Sequence, residues 1–243
     1  MSLRLGCAGW SLPRSQWPHF PRAGSHLQRY ATVLSAVEID SSFYRPHQAT
    51  TYAKWAASVP AAFRFSIKLP QSISHQQRLQ GCEVLLDEFL VQVAGLGERL
   101  GCLLIQLPPS LVFDSRVAES FLSALRARHA GAVALEPRHP SWFEPTVERL
   151  LAEQRVARVA ADPPRALTDG QSGGWSGLVY YRLHGSPKIY QSSYSAAYLQ
   201  QLAQRLKTES AGDTWCIFDN TLYGAALANA LHLLKALKGW PGH

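Results

Sequence analysis

A single (β/α)8 barrel of the TIM type is the α/β fold that this sequence predicts, with residues 1–243 as one domain. Three observations predict it. Eight short apolar runs recur along the chain, helical stripes fill most gaps between them, and polar residues gather at the carboxyl ends of the runs. Strand–helix alternation implies a parallel sheet. Eight strands close naturally into a barrel, because closure removes both edges. The competing open, doubly wound sheet usually carries a Gly-rich phosphate loop after its first strand. That position here reads Ala8-Gly9-Trp10-Ser11, without the glycine spacing.

The runs are residues 3–10, 36–43, 63–70, 101–108, 132–139, 156–162, 178–185 and 214–220. Most are apolar on both parities in their first half, as expected of strands covered on both faces. Between them lie stripes at helical spacing. Leu86, Phe89, Leu90 and Val93 form one, and Val117, Phe121, Ala124 and Leu125 another. Leu199, Leu202, Ala203 and Leu206 form a third, with Ser195 as its N-cap. Leu227, Leu231, Leu234 and Leu237 form the last. Residues 163–177 break the pattern, with two prolines, several glycines and no stripe, so the sixth helix is expected to be short or replaced by a loop.

Composition narrows the classes of function. Apolar residues make up 47% and charged residues 17%, the balance of a globular protein with a sizeable core. No apolar run approaches membrane-spanning length, so no membrane partner is expected. The opening Met1–Cys7 lacks the regions of a signal peptide. Cys7, Cys82, Cys102 and Cys216 form no Cys-x-x-Cys pair, and a reducing cytoplasm is the expected compartment. A net charge of +7 suits a polyanion, but the basic residues are scattered and form no tail. Oligomeric state leaves no mark in the sequence.

Barrel active sites lie at the carboxyl ends of strands, and alternate residues of a strand point inward. The ends here carry Glu38 and Asp40, Lys68, Gln106, Glu136 and Arg138, Asp162, Arg182 and His184, then Asp219 and Asn220. The amino-terminal halves are mostly apolar. One reading of these groups is structural: ion pairs such as Glu136 with Arg182, or Glu38 with Arg138. A mouth charged from seven strands is more than stability explains, because a desolvated pair offers little net gain over an apolar core. The favoured reading is therefore a ligand or catalytic site.

In that reading Glu136, His184, Glu38 and His75 are the catalytic candidates, with Glu136 as general acid or base and a histidine moving the proton. Arg138, Arg182 and Lys68 would hold an anionic group. Gln106 and Asn220 would orient the ligand, with Trp10, Asp40, Tyr44 and His139 as further binding candidates. Glu136→Gln would then abolish turnover with little change in melting temperature. No cofactor is expected. The histidines and carboxylates leave a zinc- or manganese-type divalent metal as an alternative, although dense ligand spacing is absent and arginines beside the candidate ligands would repel a cation. Rim aromatics and the basic balance suit stacking on nucleic acid. Residues 185–194 and 221–224 hold Gly, Ser and Lys where many barrels bind phosphate.

Several motifs in order resemble the YecE-like family, a barrel domain of unknown function, number seventy-two. They are Gly9-Trp10-Ser11, Val37 to Tyr44, Phe65 to Lys68, Ser74-His75, Gln106 to Pro109, Glu136 to Trp142, Tyr181 to Gly185 and Phe218 to Asn220. The resemblance spans nearly the whole chain. It implies a TIM barrel with a polar pocket at the carboxyl face, and supplies no reaction. Asp40 and Asp219 stand where the resemblance leads one to expect Asn, and both add negative charge at the mouth. The expected function is an enzyme, a hydrolase or lyase acting on a phosphorylated or nucleic-acid-derived small molecule. The alternatives are a non-catalytic binder of nucleic acid or a phosphometabolite, and a metal-dependent barrel of the endonuclease or sugar-isomerase kind.

Overall fold

The computed structural model describes residues 2–164, 170–209 and 212–238. Its strands are β1 (Ser2–Cys7), β2 (Ala36–Ile39), β3 (Arg64–Lys68), β4 (Leu100–Gln106), β5 (Val133–Glu136), β6 (Val156–Arg158), β7 (Ala160–Asp162), β8 (Gly173–Gly174), β9 (Leu178–Leu183) and β10 (Asp213–Phe218). The helices are α1 (His26–Tyr30), α2 (Ser41–Tyr44), α3 (Ala49–Ala57), α4 (Glu83–Val93), α5 (Ser115–Arg126), α6 (Pro145–Glu153), α7 (Ala196–Thr208) and α8 (Ala225–Ala236). All ladders are parallel except the short β6–β8 pairing. Each expected stripe lies on a helix, save that Leu237 of the last one is the C-cap of α8, and Ser195 caps α7 by accepting from the Tyr198 N–H.

The ladders fall into two sheets, ordered β1-β10-β9-β7 and β2-β3-β4-β5-β6-β8. They meet at two seams, an arrangement consistent with a TIM-type barrel. At the first, β1 and β2 share a single bridge at Ala8 and Glu38. Side chains replace the missing ladder there. The Cys7 N–H donates to the Tyr30 hydroxyl at 2.8 Å, and that hydroxyl donates to the Ala36 carbonyl at 3.0 Å. The Leu5 N–H donates to Ser35 Oγ at 3.0 Å. Gly6 permits this approach, since a Cβ at that position would lie 2.0 Å from the Ala36 carbonyl oxygen.

The second seam lies within the sixth run, which divides at Val159. Its first half, β6, pairs with β5, and its second half, β7, pairs with β9. The edge of β6 left free is taken by β8, where Arg158 faces Gly173 and Ala157 faces Gly174. Gly174 has φ +66°, and a Cβ there would lie 2.5 Å from the Val156 carbonyl oxygen. Among the described residues between 163 and 177 there is no helix, in line with the expected replacement of the sixth helix. Residues 165–169 lie outside the described residues.

Two apolar clusters match two sides of one sheet layer. The larger lies between strands and helices and includes Leu5, Ile39, Phe65, Ile105 and Leu135. The smaller comes from strand residues of the opposite parity, among them Ala36, Leu104, Ala134, Tyr180 and Trp215. Tyr180 and Trp215 stack at 5.7 Å with rings 7° from parallel. Above this inner layer, toward the carboxyl ends, the same parity turns polar. That switch positions the site.

Candidate active site

Arg182, on β9, is the hub. It is wholly buried and all three of its guanidinium nitrogens are engaged. Nη1 donates to Glu136 Oε2 at 2.7 Å and to Gln106 Oε1 at 2.9 Å. Nε donates to Glu38 Oε2 at 3.0 Å, and Nη2 reaches Glu38 Oε1 at 2.5 Å and Asp219 Oδ2 at 3.1 Å. The Tyr180 hydroxyl, two residues before Arg182 and so on the same face, donates to Glu38 at 2.7 Å and lies 2.8 Å from Ser66 Oγ. Burying a carboxylate is costly unless it is paired and hydrogen-bonded, and Glu38 meets both conditions.

His184 follows β9 and is also wholly buried. Its Nδ1 lies 2.9 Å from Asp219 Oδ2 and its Nε2 lies 2.9 Å from Glu136 Oε1, so the ring bridges two carboxylates. Arg138 Nη2 is 2.6 Å from the same Glu136 oxygen. Burial alone would push the Glu136 carboxyl up. The His184 ring and the two guanidiniums overcome that and hold it well below the usual carboxylate range. Burial likewise opposes, and Arg182 then His184 outweigh it, in holding Asp219 down. Arg182 itself is raised: burial works against its charge, and Glu38, Asp219 and Glu136 prevail.

A second layer rims this network. Lys68, at the end of β3, is 6% exposed, sits 4.3 Å over the Phe43 ring, and has Asp40 Oδ1 at 3.8 Å. Among the described residues its Nζ has no hydrogen-bond partner. Arg138 is 8% exposed and its Nε is also unpartnered. His75 lies in a π-helical turn, with Nδ1 at 2.9 Å from Ser74 Oγ and its ring edge-on to Phe43. Partial burial, then Lys68 and Arg138, lower its pKa. A cleft of about 380 Å³ opens between the ends of β1 and β2, lined by Trp10, Ser11, His26, Asp40 and Ser41.

The structure thus brings together Glu38, Glu136, His184, Arg182, Gln106 and Arg138, with Lys68, Asp40, His75 and Trp10 around the rim. Three expected site residues lie apart from the network. Tyr44 is 71% exposed, with its ring edge-on to Phe43. His139 caps a short 3₁₀ turn, Pro140–Phe143, by accepting from the Ser141 N–H. Asn220 is buried under the loops, donating to the Ser192 carbonyl and to Asn229. Of the ion pairs expected from sequence, Glu136–Arg182 forms, whereas the partner of Glu38 is Arg182 and not Arg138. Asp219, expected at the mouth but given no role there, belongs to the network, and so do Tyr180 and Ser66, which are not among the expected residues. Among the described residues no group of three or more His, Cys, Asp or Glu is arranged to hold a metal ion.

The model of the family described as "Protein of unknown function DUF72" matches residues 4–241. The chain belongs to the DUF72 family. This DUF72 protein is 32% identical to "UPF0759 protein YecE" of Escherichia coli K12 over 160 residues, covering 62% of the chain and 57% of that relative. It thus spans little more than half of the YecE relative's length. It is 28% identical to "UPF0759 protein YunF" of Bacillus subtilis 168, over 96% of the chain and 94% of the relative. Crystal structures of DUF72 proteins share the fold. One from Enterococcus faecalis V583 has a TM-score of 0.80 at 24% identity, covering 97% of this chain and 95% of its own. One from Thermotoga maritima MSB8 has a TM-score of 0.79 at 24% identity, covering 98% and 99%. No helix among the described residues is long and apolar enough to cross a membrane.

Proposed function

We propose that this DUF72 protein is an enzyme, a hydrolase or lyase, whose phosphorylated or nucleic-acid-derived substrate sits in the polar mouth at the carboxyl ends of the strands. The single observation that carries this reading is the pair of under-used cations, Lys68 and Arg138. Both are more than nine-tenths buried; the Arg138 Nε is sealed and makes no hydrogen bond, and the Lys68 Nζ has Asp40 at 3.8 Å and the Phe43 ring as its contacts and no hydrogen bond among the described residues. A buried donor without a partner, as the Arg138 Nε is, is costly and rare, and an anionic ligand between the two cations would satisfy it. Arg182 does not share that role, since its nitrogens are engaged by protein carboxylates and Gln106.

The roles follow from access. Glu136 and His184 have no exposed surface. They act as positioning residues that fix Arg138 and Arg182. The proton-transfer role falls to His75, which is half-buried beside Lys68 and Arg138 with its Nε2 unpartnered among the described residues. Its lowered pKa keeps the ring neutral near pH 7, the form needed by a general base. A panel of phosphomonoesters and nucleotides, read by mass spectrometry, tests the reading. His75→Gln is expected to slow turnover about 10²-fold or more, the usual share of general acid–base catalysis, with the fold intact. Unchanged turnover in that variant contradicts the assignment.

A second reading, binding without chemistry, draws on the exposed Tyr44, Tyr190 and Tyr223 and a pI near 9.4. Exposed rings of this kind stack on bases. It predicts a salt-sensitive mobility shift with single-stranded nucleic acid and no product.

A further inference from the structure

We propose that Ser41 is a nucleophile activated by His47, and that the cleft beside them hydrolyses small uncharged carboxylic esters. This centre adjoins the Arg182 network through Asp40 and does not depend on the anionic-substrate reading.

Ser41 Oγ lies 2.7 Å from His47 Nε2, the separation of a nucleophile from its base. Local sequence brings the two together. The Arg45 N–H donates to the Ser41 carbonyl at 3.2 Å and closes α2. Arg45 precedes Pro46 and is held extended, so the chain folds back and returns His47 to Ser41. The imidazole packs edge-on against Tyr52 at 5.7 Å and Trp55 at 5.2 Å, both on α3. Those rings fix its orientation, the part that a carboxylate plays in a triad. Trp55 in turn is edge-on at 5.1 Å to Trp10, on the wall of the cleft. Ser41 lines that cleft, and its Oγ has no second partner among the described residues. Two other Ser–His contacts differ. Both use Nδ1 between near neighbours in sequence, and their serines are tied elsewhere: Ser74 to the Pro70 carbonyl and Ser141 to the Phe113 N–H. Partial burial, then Arg45, lower the His47 pKa and keep the ring neutral near pH 7, the form a base needs.

The cleft sets the substrate class. Its lining includes the carboxyls of Glu38 and Asp40 and no lysine or arginine, a wall unsuited to an anion. Ala8, Trp10 and Ile39 add apolar surface for a short acyl chain. The Trp10 indole N–H and the Ser11 hydroxyl have no partner among the described residues and are donors on that wall for the carbonyl oxygen. In the first step Ser41 Oγ bonds to the ester carbonyl carbon while His47 Nε2 takes the hydroxyl proton. The C–O bond to the alcohol then breaks, and the alcohol leaves with the proton from His47. Water attacks the acyl-serine and gives a proton to His47. The carboxylic acid departs, and that proton returns to Ser41 Oγ.

Two probes of the intact protein test this: a fluorophosphonate, which a nucleophilic serine attacks with loss of fluoride, and p-nitrophenyl acetate. The fluorophosphonate is expected to leave one adduct, located on Ser41 by peptide mass spectrometry. His47→Gln is expected to slow that labelling by about 10²-fold or more, and Ser41→Ala and His47→Gln to lower kcat/KM for the ester by a similar factor. Labelling of Ser11 or Ser42 in place of Ser41 overturns the proposal, as does Ser41 labelling as fast in His47→Gln as in wild type. Ester hydrolysis undiminished in Ser41→Ala belongs to surface histidines and overturns it too. Mapping the adduct on the wild-type protein needs no variant, so the test stands even where a variant fails to fold; no adduct at Ser41 overturns the proposal. Phosphate binding at Lys68 and Arg138 is a separate readout, so either reading can fall without the other.

Discussion

Glu136 faces Arg138, Arg182 and His184 from a fully buried position. Glu136→Gln therefore strands buried cations, and breaking such a pair costs about 3–5 kcal/mol. Urea denaturation is expected to show that loss, in contrast to the small change expected from sequence; an unchanged midpoint would show that the network relaxes freely. The two kinds of carboxyl respond oppositely to pH. Glu136 and Asp219 have folded values below the unfolded range of about 4. Their stabilisation is complete above that range and is lost as pH falls through the depressed values. Asp40 is raised, so its contribution is present below about pH 4 and is lost as pH rises through its folded value. Asp40→Asn is thus expected to raise the melting temperature at alkaline pH and to leave it nearly unchanged in acid. Equal shifts at both ends would contradict the raised carboxyl. The strand-end acids and bases were legible in the sequence because parity places them on one face. Tyr180 and Ser66 share that parity with Arg182 and Lys68, and the same rule would have found them.

The β1–β2 seam is the element whose chemistry departs most from a regular ladder. Tyr30, brought in by α1, supplies a hydroxyl that takes the Cys7 N–H and gives to the Ala36 carbonyl. Tyr30→Phe leaves both backbone groups buried without partners, at a cost of about 1–3 kcal/mol. Thermal or urea unfolding measures it, and a neutral result would mean that β1 and β2 close on each other directly. Strand positions and helix stripes were readable because burial on both faces, or on one stripe, writes itself into local periodicity. The division of the sixth run at Val159 was not. It depends on which neighbour each half meets and on β8 occupying one edge, both of which are tertiary facts. Nor did local pattern announce that a tyrosine of α1 would stand in for ladder hydrogen bonds.

At the scale of the whole molecule, strands deliver charged and polar groups to one end. The architecture and the location of the polar end could be read from the sequence because eight runs repeat one design, apolar first and polar last. The division of labour within that end could not. It rests on which groups are sealed, as Glu38, Glu136, Arg182 and His184 are, and which keep unspent hydrogen-bonding capacity, as Lys68 and Arg138 do. The most direct test is a crystal of this protein soaked in inorganic phosphate. A tetrahedral peak within hydrogen-bond distance of Lys68 Nζ and the Arg138 guanidinium is the expected result. Phosphate bound only at the 185–194 loop, with Lys68 and Arg138 still unoccupied, would contradict the account.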